Sequence, residues 1–438
     1  MKRFIVLMVL VFCVVPVDGK AEEIIRKGEQ LNLQRCMEIA LKQQPNILAA
    51  QSTSTAFQSR IGQAKSNYYP QVSWISGYSR ISPVQSRSFS SIGTLTSGSS
   101  VSSGSYDQWT GSASLTQNIY DFGRTSTQVR ISNLNYDSSL SDLENTSQLT
   151  ILNVKQAYYG VLQAKRNRDV NVDTVKQFEQ HLQQAKGFYE VGTHPLYDVT
   201  TAEVNLSNAQ LNLIKAENAL RIAYVTLNNA MGVPSAPEYT VEDNLQYKKY
   251  EMTLEEALSK AFENRPDLRS ALTRTKSAEV SVDSAKSNYY PFLTGNAAYN
   301  VSGEKIDNLD RGWDVGATLT FPIFSGLLTK YQVDEAKANV SVSKANEESV
   351  RQTVILDVQQ AYLTLRAAEE AIPTAELGVK QARENMDIAN GRYAAGVGNP
   401  IEITDAEVAL ANAKLAYIQA LYADKVSQAN LEKAMGTR

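Results

Sequence analysis

The chain has 438 residues, of which 43% are hydrophobic and 20% charged, and its formal net charge is −3. This is the composition of a folded chain, and the small negative charge gives no reason to expect nucleic acid as a partner. Two cysteines, Cys13 and Cys36, and two histidines offer little material for a disulfide framework or a histidine-based metal site.

The N-terminus predicts a signal peptide at residues 1–21. Two basic residues precede an apolar run at 4–15, and small residues follow it at a plausible cleavage site. The run is too short to cross roughly 30 Å of hydrocarbon as a helix, which disfavours a membrane anchor. Lipidation at Cys13 stays open, although the large side chain before it is unusual for lipoprotein cleavage. Export of the mature chain to the periplasm, the outer membrane or beyond follows.

The chain contains a long internal repeat. The sequence AKSNYYP occurs at 64–70 and again at 285–291, an offset of 221 residues. Further along the offset is 204, because LTQNIYDFG at 115–123 faces LTFPIFSGL at 319–327 and YEVGTHPLYD at 189–198 faces YAAGVGNPIE at 393–402. We therefore expect two copies of one unit, with repeat 1 at 22–234, a linker at 235–251 and repeat 2 at 252–438.

Each copy predicts the same order of elements. A helix at about 33–67 has apolar residues at helical spacing, and Pro70 follows it. Alternating apolar residues then predict strands at about 71–84 and 107–119. A proline-free stretch predicts a helix at about 124–190, roughly 100 Å long at 1.5 Å per residue. Repeat 2 gives helices at about 252–288, 327–394 and 401–435 and strands at about 291–303 and 311–323.

The returning helix of repeat 1, at about 197–231, carries the most regular apolar pattern. Its apolar residues alternate at spacings of four and three: Ala202, Leu206, Ala209, Leu213, Ala216, Leu220, Ala223, Leu227 and Ala230. This is the heptad pattern of a coiled coil, in which alanine lets neighbouring helices approach closely. Packing of helix against helix is the expected consequence.

The predicted strands have the length of membrane-crossing strands. Aromatic residues lie at their ends, where an interfacial girdle is expected: Tyr68, Tyr69, Trp74, Trp109, Tyr289, Tyr290 and Trp313. A soluble hairpin with one wet face is the alternative. Since a chain supplies four strands and open sheet edges cannot face lipid, at least two chains have to close one barrel.

Over nearly the whole mature chain, the sequence resembles the TolC family of outer-membrane efflux and secretion channels. The tandem copies, the YYP junctions, the YDFG and FSG strand exits and the VGT and AGV turns carry the resemblance. It implies an α plus membrane β fold with two tandem structural repeats. In that fold a trimeric 12-stranded β-barrel in the outer membrane continues into a long periplasmic α-helical coiled-coil barrel.

The resemblance also implies a function and partners. A homotrimer would form a passive exit duct in a tripartite efflux pump or a type I secretion system. Its partners would be a periplasmic adaptor (membrane fusion) protein, an inner-membrane pump or ABC transporter, and outer-membrane lipid. The alternative is a periplasmic coiled-coil adaptor or scaffold, which would share the signal peptide and the helical hairpins but lack strands of this length.

Site residues follow from the same resemblance. The turns are expected to meet the adaptor through Val191, Gly192, Thr193, Ala395, Gly396 and Val397. Glu402 and Asp405, three residues apart on one helix face, are expected to line the pore constriction, with helix capping as the alternative. Asp198 and Tyr393 would hold neighbouring helices together when the channel is closed. Gly398 departs from the family at a position where a basic residue can serve in latch contacts.

We predict no catalytic, cofactor or metal site and therefore no enzyme. His181 and His194 have no carboxylate or thiol partner at ligand spacing, and the DFG at 121–123 lacks the other kinase motifs. The loop at 85–105, with ten serines and three glycines, is predicted to be mobile and extracellular.

Overall fold

A computed structural model describes residues 25–82, 105–395 and 397–437. The predicted signal peptide, nearly all of the predicted extracellular loop and Gly396 lie outside the described residues. Contacts divide the chain into two compact units. The first contains residues 25–44, Asn153–Tyr247 and Ile372–Lys425, and the second contains Pro45–Leu152, Lys248–Ala371 and residues 426–437.

The elements occur in the same order in both copies. Repeat 1 contains β1 (Gln30–Leu31), α1 (Leu33–Gln43), α2 (Pro45–Lys65), β2 (Gln71–Ile81), β3 (Tyr106–Tyr120), α3 (Arg124–Glu190) and α4 (Leu196–Met231). Then follow β4 (Thr240–Val241), α5 (Leu254–Asn264), α6 (Pro266–Lys286), β5 (Phe292–Lys305), β6 (Asn308–Thr320), α7 (Leu328–Ala394) and α8 (Pro400–Ala434). Across 25–82, 105–395 and 397–437, every helix is either too short or too polar to cross a membrane.

The first helix of each copy differs from the prediction. The stretches predicted as single helices at about 33–67 and 252–288 each form two helices, with Gln44 and Arg265 extended at ψ 120° between them. Both residues precede a proline, whose ring clashes with helical backbone at the residue before it. A short 3₁₀ turn then ends α2 and α6 before the strand begins.

The second unit contains a four-stranded antiparallel sheet in the order β2-β3-β5-β6. Strands β3 and β5 lie inside the sheet, and β2 and β6 form its edges. Strand β6 ends at Thr320, three residues before the predicted end. Pro322, two residues further along, has no N–H to donate to a neighbouring strand.

The helices of the second unit pack around Leu268, Val354, Val358, Leu365 and Leu431. Arg265, next to this core, is 4% exposed. Its guanidinium donates to the Oδ2 atoms of Asp267 at 2.6 Å and Asp357 at 2.9 Å. Because a buried charge has to be paired, this contact fixes the elbow between α5 and α6 against α7.

The first unit has its own core around Leu31, Cys36, Tyr158, Leu227 and Met231. Cys36 has no disulfide partner within the described part of the chain and is fully buried, and burial raises the pKa of its thiol to about 12. It therefore behaves as a small apolar side chain. The hydroxyl of Tyr158 donates to the carbonyl oxygen of Glu242 at 2.6 Å.

The heptad stripe of α4 packs as expected. Ala202 lies in an apolar cluster with Leu182 and Ala185 of α3, and Ala209 lies in another with Phe178. Near the end of α4, Leu227 belongs to the main core of the first unit. The coiled-coil prediction for this helix is confirmed by these contacts.

Candidate functional site: the two helical turns

The turn between α3 and α4 is closed by backbone hydrogen bonds. Gly192 has a φ of 76°, and the N–H of Thr193 donates to the carbonyl oxygen of Phe188 at 3.0 Å. This is the bond pattern of a glycine C-cap, so capping alone accounts for the glycine. Val191, Gly192 and Thr193 are all exposed, Val191 by 71%.

The turn between α7 and α8 has a different closure. The N–H groups of Val397 and Gly398 both donate to the carbonyl oxygen of Arg392, at 3.1 and 3.0 Å. A Cβ at Gly398 would lie 2.7 Å from the backbone nitrogen of Tyr393, so the turn leaves no room for a side chain there. Ala395 and Val397 are exposed, and Gly396 is outside the described part of the turn.

An aromatic cluster lies next to these turns. The ring of Tyr393, which is 2% exposed, is 5.4 Å from Phe188, 5.5 Å from His181 and 5.8 Å from His194 between centroids. His181 is buried, neither of its ring nitrogens has a hydrogen-bond partner among the described residues, and burial lowers its pKa. The cluster thus joins α3 and its turn to α7.

His194 has a carboxylate partner that the sequence did not predict. Its Nδ1 lies 2.9 Å from Oδ2 of Asp198, one helical turn further along the chain, so the statement that His194 lacks a carboxylate partner is wrong. Asp198 is bonded to this histidine rather than to Tyr393, whose hydroxyl has no partner in the described part of the chain. Burial, and then the nearby Asp198 charge, raise the pKa of Tyr393.

The two predicted gate carboxylates, Glu402 and Asp405, are both exposed on the first turns of α8. Glu402 Oε2 accepts a hydrogen bond from Arg392 Nε at 3.1 Å, an ion pair that was not predicted from the sequence. The start of α8 is capped instead by Asn399, whose Oδ1 accepts from the N–H of Ile401 at 2.9 Å. The cap hydrogen bond at this end therefore comes from Asn399 and not from Glu402 or Asp405.

A third carboxylate on α8 was not predicted. Glu407 is 2% exposed, its Oε2 has no hydrogen-bond partner among the described residues, and burial raises its pKa to about 7. At the offset of 204 its counterpart is Glu203, which is exposed and pairs with Lys186 at 3.6 Å. Burial therefore distinguishes two glutamates that the repeat places at the same position.

The predicted interface aromatics all belong to the second unit. Most are exposed, and Trp313 is the most exposed of them at 77%. Two make ring contacts within the chain, since Trp109 lies 4.7 Å from Tyr78 and Tyr290 stacks on Phe122 at 5.9 Å. The seven residues are Tyr68, Tyr69, Trp74, Trp109, Tyr289, Tyr290 and Trp313.

Two tandem copies, each with a strand hairpin and a long helical hairpin, define the class of outer-membrane channels with helical periplasmic domains. The family model for outer membrane efflux proteins matches this chain twice, at residues 36–233 and 257–437. The chain belongs to the outer membrane efflux protein family.

Individual relatives agree with this assignment. Outer membrane protein TolC of Escherichia coli is 25% identical over 349 residues, which cover 74% of this chain and 69% of that protein. The probable efflux pump outer membrane protein TtgC of Pseudomonas putida is 23% identical over 335 residues, with 74% and 69% covered.

Solved structures show the same fold. The Campylobacter jejuni CmeC outer membrane channel superposes with a TM-score of 0.78 at 18% identity, covering 92% of this chain and 85% of that one. The outer membrane protein VceC of Vibrio cholerae gives 0.76 at 17% identity, covering 92% and 96%. The family model and the relatives confirm the predicted family, the outer-membrane location and the role as an efflux channel. They do not fit the alternative of a periplasmic adaptor or scaffold.

Proposed function

We propose that three copies of this chain form a passive exit duct across the outer membrane and the periplasm. The observation that carries the proposal is the four-stranded sheet with two open edges, β2 and β6, in a chain of this family. Open edges leave backbone groups unpaired in lipid, so neighbouring copies have to cover them. Three copies give twelve strands, an even number within the range of bacterial barrels.

A second apolar stripe on α4 supports assembly between copies. Val204, Leu211 and Val225 recur at multiples of seven residues and are exposed in the single chain, each by about half or more. Exposed apolar residues at heptad spacing are typical of a helix that packs against another helix. A neighbouring copy would bury them. The protein should therefore be found in the outer-membrane fraction, and on a gel it should migrate as a trimer that dissociates only on heating. Migration as a monomer without heating would refute the assembly.

The partners we propose are a periplasmic adaptor and an inner-membrane pump or ABC transporter, with the adaptor docking on the two turns. Exposed Val191 and Val397, about 70% accessible each, offer apolar contacts at the ends of the helical hairpins. Glycine at position 192 lets a partner helix approach the backbone closely.

A bulky side chain at position 192 tests docking, provided that the turn keeps its backbone conformation. Gly192→Trp should leave trimers in the outer membrane but reduce adaptor cross-linking and efflux at least tenfold. Gly192→Asn is the matched control, because asparagine tolerates the positive φ of this position better than other residues do. Full efflux in the tryptophan variant would refute docking at this turn, and equal loss in both variants would assign the effect to backbone strain.

For the constriction we propose Glu402 and Asp405, with Arg392 as a counter-ion. Three chains would bring six carboxylates and three guanidinium groups toward one axis, which leaves a net negative charge of three at the entrance. Asp198 and Tyr393 would stabilise the closed arrangement from the first turn and from α7. Excess negative charge attracts cations and binds multivalent ones most strongly.

Block by a trivalent cation tests the gate. In planar bilayers, the cation added on the side of the turns should block the wild-type channel, and Glu402→Gln with Asp405→Asn should weaken the block at least tenfold. Arg392→Gln should strengthen it, because the counter-ion is removed. An unchanged block in the double variant would exclude these carboxylates from the constriction while leaving the duct itself intact.

A further inference from the structure

The two strand hairpins have the same register. Trp74 of β2 lies opposite Ala113 of β3, and the residues 221 and 204 positions further along, Gly295 and Ala317, lie opposite each other in β5 and β6. The same offsets carry the pair Val72–Leu115 onto the pair Leu293–Leu319. The sequence repeat is therefore also a repeat of strand pairing.

Strand β3 of repeat 1 pairs with strand β5 of repeat 2, and we call this junction a seam. It places large side chains opposite small ones. Five pairs lie on one face of the sheet and each has this feature: Trp109 with Gly303, Gly111 with Val301, Ala113 with Tyr299, Leu115 with Ala297 and Gln117 with Gly295. Directly opposed side chains on one face lie about 5 Å apart, so their sizes have to be complementary.

The same offsets predict a seam that a single chain cannot form. Moved by 204 residues, Ala113 of β3 becomes Ala317 of β6, and moved back by 221 residues, Tyr299 of β5 becomes Tyr78 of β2. We propose that β6 of one chain pairs antiparallel with β2 of a second copy, with Ala317 opposite Tyr78 of the partner subunit. This proposal rests on the proposed assembly and specifies its register.

Side-chain sizes support this register. It places Leu319 opposite Ser76 of the partner subunit and Trp313 opposite Ser82 of the partner subunit, so together with Ala317 and Tyr78 of the partner subunit three of the five large-with-small pairs recur. A shift of two residues would place Leu319 opposite a tyrosine or a tryptophan, and a shift of one would turn the face of the strand.

Two positions on this face differ between the seams. Gln117 with Gly295 becomes Phe321, one residue beyond the end of β6, with Trp74 of the partner subunit, and the second difference is at Gly111 with Val301. Gly111 and Val301 are so close that a Cβ on the glycine would lie 2.8 Å from the valine Cγ2. The corresponding pair is Val315 with Arg80 of the partner subunit. Within its own chain, the Arg80 head group is exposed and lies 3.9 Å from Asp107 on the neighbouring strand, which leaves only its aliphatic stem beside the valine.

Disulfide cross-linking tests the register. With both natural cysteines replaced by alanine, Ala317→Cys combined with Tyr78→Cys should give a covalent ladder up to a trimer after copper-phenanthroline oxidation, and a reductant should remove it. Within one chain, β2 and β6 are three strand spacings apart, about 14 Å, which is too far for a disulfide. Ala113→Cys with Tyr299→Cys is the matched intrachain control, and it should form a disulfide without a ladder.

The outcomes separate the register from the assembly. Ala317→Cys with Ser76→Cys or with Arg80→Cys should give at least fivefold less covalent trimer than the pair with Tyr78→Cys. A stronger ladder from either shifted pair overturns the register, and trimers by native mass spectrometry that yield no ladder from any pair overturn the pairing of β6 with β2. A monomer in that measurement would instead refute the proposed assembly.

Discussion

Ionisation of the buried Glu407 carboxyl should make the protein less stable as the pH rises toward neutrality. Burial raises the pKa of this carboxyl from 4.5 to about 7, and no described residue donates a hydrogen bond to its Oε2. A raised pKa favours the protonated folded state, so this contribution to stability is full below pH 4.5, falls between pH 4.5 and 7, and is lost above pH 7. At about 1.4 kcal/mol per pH unit, the loss amounts to about 3 kcal/mol.

Glutamine at this position keeps the shape but cannot ionise. Helical circular dichroism of the detergent-solubilised protein should show that Glu407→Gln raises the melting temperature at pH 8.5 by about 3 °C relative to wild type, given the size of the chain, and by much less at pH 5. Glu203→Gln, at the equivalent exposed position, should change neither value appreciably. Equal losses of stability between pH 5 and pH 8.5 in wild type and Glu407→Gln would refute the reasoning.

Two further predictions concern stability and are measured from denaturant midpoints. Arg265→Ala should cost about 3 to 5 kcal/mol because it leaves two carboxylates beside a buried site unpaired, whereas Arg166→Ala, which breaks a half-exposed pair with Asp243, should cost under about 1 kcal/mol; equal effects would contradict the burial argument. Gly232→Ala should cost at least about 1 to 2 kcal/mol, since φ is 74° and the new Cβ would lie 2.9 Å from the backbone at the end of α1. Gly187→Ala, inside α3 with open space around it, should instead stabilise by about 0.5 to 1 kcal/mol, and a loss there would contradict the account.

Most of the secondary structure could be predicted from local sequence patterns. Alternation with a period of two distinguished strands from helices, and the 221- and 204-residue offsets showed that the elements recur in order. The stripe from Ala202 to Ala230 predicted which face of α4 is buried, because heptad spacing places those residues on one side of a helix. The breaks at Gln44 and Arg265 were missed although they could be predicted, because each residue precedes a proline, which disfavours helical backbone at the residue before it.

The side-chain contacts around the two helical turns could not be predicted in the same detail. Tyr393 and His181 are 212 residues apart, and no local period reports a contact over such a distance. The pairing of Arg392 with Glu402 depends on how the turn between α7 and α8 brings its ends together. Glu407 has the same neighbours in sequence as exposed Glu203, AEV in both copies, so only the packing of α8 distinguishes them.

Conductance of the purified protein in a planar bilayer tests the exit duct most directly. Three chains around one axis predict discrete current steps that persist without any energy source, favour cations over anions, and are blocked by a trivalent cation from one side only. Steps that favour anions, or the absence of steps from protein verified as a folded trimer, would contradict the account of this chain as a cation-attracting channel.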